Sequence, residues 1–206
     1  MTKKEEKRKL LMEKITEMVE QNGGLVKTSQ LYELDLDYRK IQRLVDEGLL
    51  ERVKNGYYGI AFRDKDEETM ITGLFPDGVL CLDSALYYYH YIQEKPYYWH
   101  IAVNKNTSKS RFQLDYPLVQ PYYTEPEVLK LGARRMQLKG GIIGIYDKER
   151  LICDCLKFED KLQRDVLQSA IRCYLREPKK DIQRLMEYAR ARRVVQKVQN
   201  RIGVWL

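Results

Sequence analysis

The apolar positions of residues 10 to 60 follow a helical period three times and then an alternating one. Leu11, Ile15, Met18 and Val19 recur at helical spacing among Lys and Glu, and the pattern stops at Asn22-Gly23-Gly24, where glycine takes a positive φ at little cost. Thr28 or Ser29 can cap a short second helix through Leu34, and Asp37 a third that ends at Gly48. The stretches "LLERVK" and "YYGI" then flank Asn55-Gly56, a dipeptide that favours a two-residue type I′ hairpin turn. Such a turn pairs Lys54 with Tyr57 and Val53 with Tyr58. Val53 and Tyr58 then share one face, and Arg52, Lys54 and Tyr57 the other. The charged stretch "FRDKDEE", 62 to 68, reads as a linker, which divides the chain into domains 1–65 and 66–206.

Beyond the linker, "GVLCL" predicts a strand and "DSALYYYHYI" a helix capped by Asp83 or Ser84. "YWHIAV" and "YPLVQPYY" predict strands, with Pro96, Pro117 and Pro121 confined to edges and turns. "GGIIGIYDKERLICDCLKF" predicts a strand over 142–146 that turns into a helix at Asp147. After Lys161 the pattern is helical throughout. Leu162, Val166, Leu167, Ala170, Ile171 and Tyr174 form one stripe, Ile182, Leu185, Met186 and Ala189 a second, and Val194, Val195, Val198 and Ile202 a third. Pro178 is placed at the start of the second of these helices, where its missing N–H matters least. The fold class expected is α+β: three helices and a hairpin, then a mixed-sheet domain ending in a C-terminal helical bundle.

Composition narrows the chemistry. The 206 residues suit one large or two modest domains with cores of their own. Four cysteines without framework spacing, and no cleavable leader, lead us to expect a reduced, cytoplasmic protein. No apolar run approaches the roughly 20 residues that cross a bilayer, so no membrane partner is expected. The net charge is +7, and from Lys161 onward twelve Lys/Arg face four Asp/Glu, which suits either a polyanion partner or a solvated helical surface. The tyrosine run at 87–91 lies on a predicted helix, so its side chains point in different directions and suit a core or an interface more than one stacking platform.

Catalytic signals are sparse. His90 and His100 lack triad or zinc-box neighbours, Cys153-x-Cys155 lacks a second ligand pair, and no phosphate-cradling glycine loop occurs. No cofactor, metal or catalytic residue is expected. The alternative is a magnesium-dependent nuclease or phosphoryl-transfer site made of Asp147, Glu149 and Asp154 behind the glycine-flanked strand. Against it, Arg150 and Asp154 stand at the i, i+4 spacing of a structural ion pair.

The third helix is the most informative element. Ile41, Leu44 and Val45 cluster on one side, which leaves Arg39, Arg43 and Asp46 opposite, flanked by Lys40 and Gln42. Arginines so presented can bind guanine O6 and N7 in a major groove. The order helix, short helix, turn, helix, hairpin is the winged helix-turn-helix layout, with Lys54 and Asn55 at the wing tip. Lys27, Thr28 and Ser29 could offer donors to phosphate. Winged domains also dock proteins, so the layout does not by itself establish a function.

The stretch "GGLVKTSQLYELDLDYRKIQRLVDEGLLERVKNGYYGI" resembles the N-terminal domain of AbiEi-type antitoxins of type IV toxin-antitoxin (abortive infection) systems. "DSALYYYHYIQEKPYYWHIAV", "GIIGIYDKERLICDCLKF" and "DVLQSAIRCYLREPKKDIQRLMEYARARRVVQKVQNRI" resemble the same family's C-terminal domain, in the same order. The resemblance implies a transcriptional autorepressor that binds inverted repeats in double-stranded DNA. It also implies that the C-terminal domain counters a nucleotidyltransferase-like toxin without forming a stable complex with it. By position it places the recognition helix on Tyr38 to Arg43, the wing on Arg52 to Tyr57, and the C-terminal signature on Tyr146, Asp147, Glu149, Arg150 and Asp154. We read that signature as joining strand to helix. Residues 1 to 65 hold fourteen Lys/Arg against twelve Asp/Glu, so DNA affinity would also draw on the basic C-terminal helices.

Overall fold

A computed structural model describes residues 3–61, 66–114 and 116–203. The chain is α+β and divides into two compact units, Met1–Pro76 with Gln113–Pro117 and Gln137–Ile142, and Asp77–Phe112 with Leu118–Met136 and Ile143–Leu206.

The first unit is built from α1 (Lys3–Gln21), β1 (Val26–Lys27), α2 (Thr28–Glu33), α3 (Tyr38–Asp46), β2 (Leu50–Lys54), β3 (Tyr57–Ile60) and α4 (Glu67–Leu74). Its antiparallel sheet has the order β1-β3-β2. Ile15 and Val19 of α1, Leu31 of α2, Ile41 and Leu44 of α3, Leu50 and Tyr58 close one core with Val26 and Leu36. Asp37 caps α3 as expected, its Oδ1 accepting from Lys40 N at 2.8 Å. Helix α2 starts differently from the expectation. Thr28 is its first residue, and it is the Gln30 side chain that reaches back to accept the Lys27 N–H.

The hairpin departs from a simple type I′ ladder. Lys54 opposes Tyr57, but Arg52, not Val53, opposes Tyr58, and Val53 is the extra residue of a bulge. Of the turn pair only Gly56 has a positive φ, +81°, whereas type I′ needs it at both positions. The buried Tyr58 ring fixes the inward face of β3, and the Thr28 N–H donates to Gly56 O at 2.9 Å, so β2 absorbs the mismatch.

Residues 62–65 of the expected linker lie outside the described residues. Asp66, Glu67 and Glu68 are not linker: Asp66 caps α4, accepting from Thr69 N at 3.0 Å. Thr69 then explains two glycines. A Cβ on Gly23 would stand 2.0 Å from Thr69 Cγ2, and one on Gly140 2.4 Å from it, so both chain turns close on this side chain only as glycine. Lys139 adds an ion pair to Asp66 at 3.0 Å and a backbone donor to Glu68.

The remaining elements are β4 (Val79–Leu80), α5 (Leu82–Tyr88), β5 (Trp99–Asn104), β6 (Val119–Thr124), α6 (Pro126–Leu129), β7 (Ala133–Leu138), β8 (Gly141–Tyr146), α7 (Lys148–Lys157), α8 (Arg164–Leu175), α9 (Ile182–Arg192) and α10 (Val195–Arg201). Their sheet is mixed, in the order β6-β5-β4-β8-β7, with β4-β8 and β5-β6 parallel and β4-β5 antiparallel. Helix α7 packs against α5, α8, α9 and α10 and is buried nearly all round, as its run of Leu151, Ile152, Cys153, Cys155 and Leu156 requires.

Three expectations need correction here. Helix α5 begins at Leu82 with Cys81 before it, and Ser84 Oγ accepts from His100 N instead of capping. The tyrosine run is helical only to Tyr88, and His90 takes φ +59°. Pro178 lies ahead of α9, which starts at Ile182 with Asp181 accepting from Arg184 N. Strand β7 and the short α6 were not anticipated, because "ARRMQL" carries the charge that sheet edges commonly have and so reads as loop.

Candidate nucleic-acid interface

In the first unit, burial of Ile41 and Leu44 turns the other side of α3 to solvent. Tyr38 is 55 % exposed, and Arg39, Lys40 and Arg43 are exposed as well. The residues of this face differ in what holds them. Lys40 Nζ donates to Asp35 O at 2.8 Å, and Gln42 Nε2 donates to Asp46 Oδ1 at 3.0 Å. The guanidiniums of Arg39 and Arg43, one turn apart, have no hydrogen-bond or ion-pair partner among the described residues. Two unengaged guanidiniums on the outer face of a capped helix can each offer a planar pair of donors to an acceptor pair.

The hairpin tip and the start of α2 come together. The Lys27 and Lys54 ammonium groups each lie 5.9 Å from the Tyr57 ring centroid, within cation–π range, and the Thr28–Gly56 hydrogen bond joins the two segments. Lys54 also lies over Phe75 at 5.7 Å, and Arg52 donates to Asn55 Oδ1 at 2.7 Å. The N–H groups of Lys27 and Thr28, expected to serve phosphate, are therefore already used by Gln30 and Gly56. Ser29 remains exposed. Tyr57 closed the segment Arg52 to Tyr57 that the resemblance gave as the wing but was not singled out as a contact, although its position opposite Lys54 was visible from the hairpin.

The carboxylates that follow β8 are all engaged within the second unit. Asp147 accepts from Arg150 N at 3.0 Å and from the Tyr188 hydroxyl at 3.2 Å, and burial pushes its pKa up. Glu149 accepts from Asp181 N at 3.0 Å and from the Tyr174 hydroxyl at 3.4 Å. Asp154 receives Arg150 Nε at 3.1 Å and Arg192 Nε at 2.5 Å. Arg150 is fully buried: its Nη1 donates to the carbonyls of Val128 and Leu131, both at 2.7 Å, and its guanidinium carbon lies 4.2 Å from the Tyr146 ring centroid. The geometry makes this group a buried clasp between strand, α7 and α9. Among the described residues no group of His, Cys, Asp and Glu is placed to hold a metal ion.

The other reactive side chains are turned inward. All four thiols are free, and burial pushes Cys153 up to about 12 and holds Cys81 and Cys155 well above the usual thiol range, so thiolate is strongly disfavoured at each of these three. Burial lowers His100 to about 4, which keeps the imidazole neutral. The tyrosine run does not form one platform: Tyr89 donates to Tyr146 O at 3.0 Å, while Tyr91 is buried and donates to Glu177 at 3.0 Å.

Asp83 gives a pH signature. Burial raises its pKa, and its Oδ1 has no hydrogen-bond partner. A carboxyl whose pKa rises on folding favours the native state while protonated and loses that contribution as pH climbs through its folded value. Asp83→Asn is therefore expected to melt progressively higher relative to the parent as pH rises from the carboxylate range to neutrality. Thermal denaturation across that range checks it, and a difference independent of pH would contradict the assignment.

No family model matches the sequence, and no curated protein matches it. No helix among the described residues is long and apolar enough to cross a membrane.

Proposed function

We propose that the chain is a sequence-reading DNA-binding protein that represses transcription of its own operon, its first unit acting as a winged helix-turn-helix. The observation that carries this reading is the pair Arg39 and Arg43, exposed and unengaged on α3 while Lys40 and Gln42 beside them are tied to the protein's own atoms. In this reading the arginines contact base edges, Tyr38 and Ser29 flank the phosphates, and Lys27 and Lys54 around Tyr57 hold the backbone. Exposed Arg164, Arg172, Arg176, Lys179, Arg190 and Arg193 of the helical end add sequence-independent attraction.

The antitoxin part of the proposal, action in the cytoplasm against a nucleotidyltransferase-like toxin, rests on the AbiEi resemblance. The clasp around Arg150 and Asp154 would hold the second unit that performs it. A nucleotidyltransferase motif in the adjacent reading frame would support that part, and an unrelated neighbour would remove it while leaving the repressor.

The direct test is an electrophoretic shift of the DNA upstream of the gene against unrelated DNA of equal length, repeated over a salt series. Preferential binding is expected, with log affinity falling linearly against log salt. Failure to bind either DNA at low salt would end the nucleic-acid reading.

A further inference from the structure

We infer that α1 is a self-association surface, through which two copies of the chain pair their α1 helices antiparallel across a two-fold axis at Leu10. This stands independently of the DNA-binding reading. Core-facing positions of α1 are Ile15 and Val19, with Leu11, Met12 and Met18 packed beside them. At 100° per residue, positions 6, 7, 10, 13, 14 and 17 form one stripe centred on Leu10, about 140° around the helix from Ile15. All six are exposed, and Leu10, in the middle of that stripe, is a large apolar side chain 54 % in solvent. Arg8, on the inner side, pairs with Glu47 and ties the overhanging half of α1 to the end of α3.

The charges around Leu10 are ordered. A two-fold axis through position 10 of an antiparallel helix pair sets residue i of one copy against residue 20 − i of the other. Glu6 then meets Lys14, and Lys7 meets Glu13, each twice by symmetry. In the sequence position 3 is Lys and its counterpart, position 17, is Glu. Every pair so formed is of opposite sign, and Leu10 meets Leu10 at the axis. A parallel pairing would instead set like charges together. Flanking charges choose partner and orientation in paired helices in this way. Glu6, Lys7, Lys14 and Glu17 have no ion-pair partner among the described residues. Glu13 has only a long i, i+4 contact of 3.9 Å from Lys9. The occupant that fits this face is thus a second copy, whose own face is complementary to it.

Sedimentation velocity on the full chain without DNA, over a hundredfold concentration range at low salt, tests the inference. The mass is expected to rise from 24.6 kDa toward twice that value with concentration. Glu13→Lys and Lys7→Glu each place like charges opposite one another twice, and each is expected to weaken the dimer about tenfold or more. The double variant Lys7→Glu/Glu13→Lys restores opposite signs and is expected to recover the parent's dimer. Because both positions are exposed, circular dichroism should show the same helicity in all four proteins. A monomer at every concentration overturns the inference. So does a dimer insensitive to the single variants, or a double variant that fails to recover it.

Discussion

Replacing Asp154 by Asn is expected to destabilise the second unit by about 3–5 kcal/mol, the range for breaking a buried ion pair from one side. Asp154 is 3 % exposed, and its two oxygens receive Arg150 Nε and Arg192 Nε. The guanidiniums cannot reach water to recover what they lose, because Arg150 is fully buried and Arg192 nearly so. Arg150 would keep its bonds to the carbonyls of Val128 and Leu131, but its charge would lose its nearest anion. Nη2 of Arg150 already lacks a hydrogen-bond partner, so the site holds no spare acceptor to compensate. A control is Glu159→Gln. Its partners Lys197 and Arg201 are 40 % and 59 % exposed, and the change should cost at most about 1 kcal/mol. Urea unfolding followed by circular dichroism measures both. A loss for Asp154→Asn no larger than that of the control would refute the view that the clasp holds α7 to α9.

The elements that were legible in the sequence are those whose signals are local. The limits of α3 followed from Asp37 and Gly48, and its buried side from Ile41 and Leu44. Arg150 and Asp154 were visible as an i, i+4 pair, and the structure joins them. Arg192 was not visible as their third member. It lies 38 residues beyond Asp154, inside a run of arginines, and only the packing of α9 on α7 distinguishes it from its solvated neighbours. The hairpin tip was legible, but its register was not. Burial of Tyr58 and the hydrogen bond from Thr28 are tertiary constraints, and they forced the bulge at Val53. The outer face of α3 was legible as a set of five residues without rank. Asp35 O and Asp46 rank them by restraining Lys40 and Gln42.

That ranking leads to the second large effect. Arg39→Ala and Arg43→Ala are each expected to weaken binding to the upstream DNA by about 1–3 kcal/mol, the worth of a bidentate arginine–guanine contact. The pair together should reduce it to the level of unrelated DNA. Lys40→Ala should change it less, because its ammonium group already has an acceptor and would have to exchange one partner for another. Gln42→Ala should be mild for the same reason. Both arginines are exposed and unpartnered among the described residues, so their removal should leave stability within about 0.5 kcal/mol of the parent. Equilibrium titration against specific and unrelated DNA at several salt concentrations distinguishes the possible roles. A base-reading arginine changes the ratio of the two affinities, whereas a phosphate-binding one lowers both and reduces the salt slope by about one. If both variants bind upstream DNA as the parent does, α3 is not the reading helix, and the exposed arginines are ordinary solvated surface.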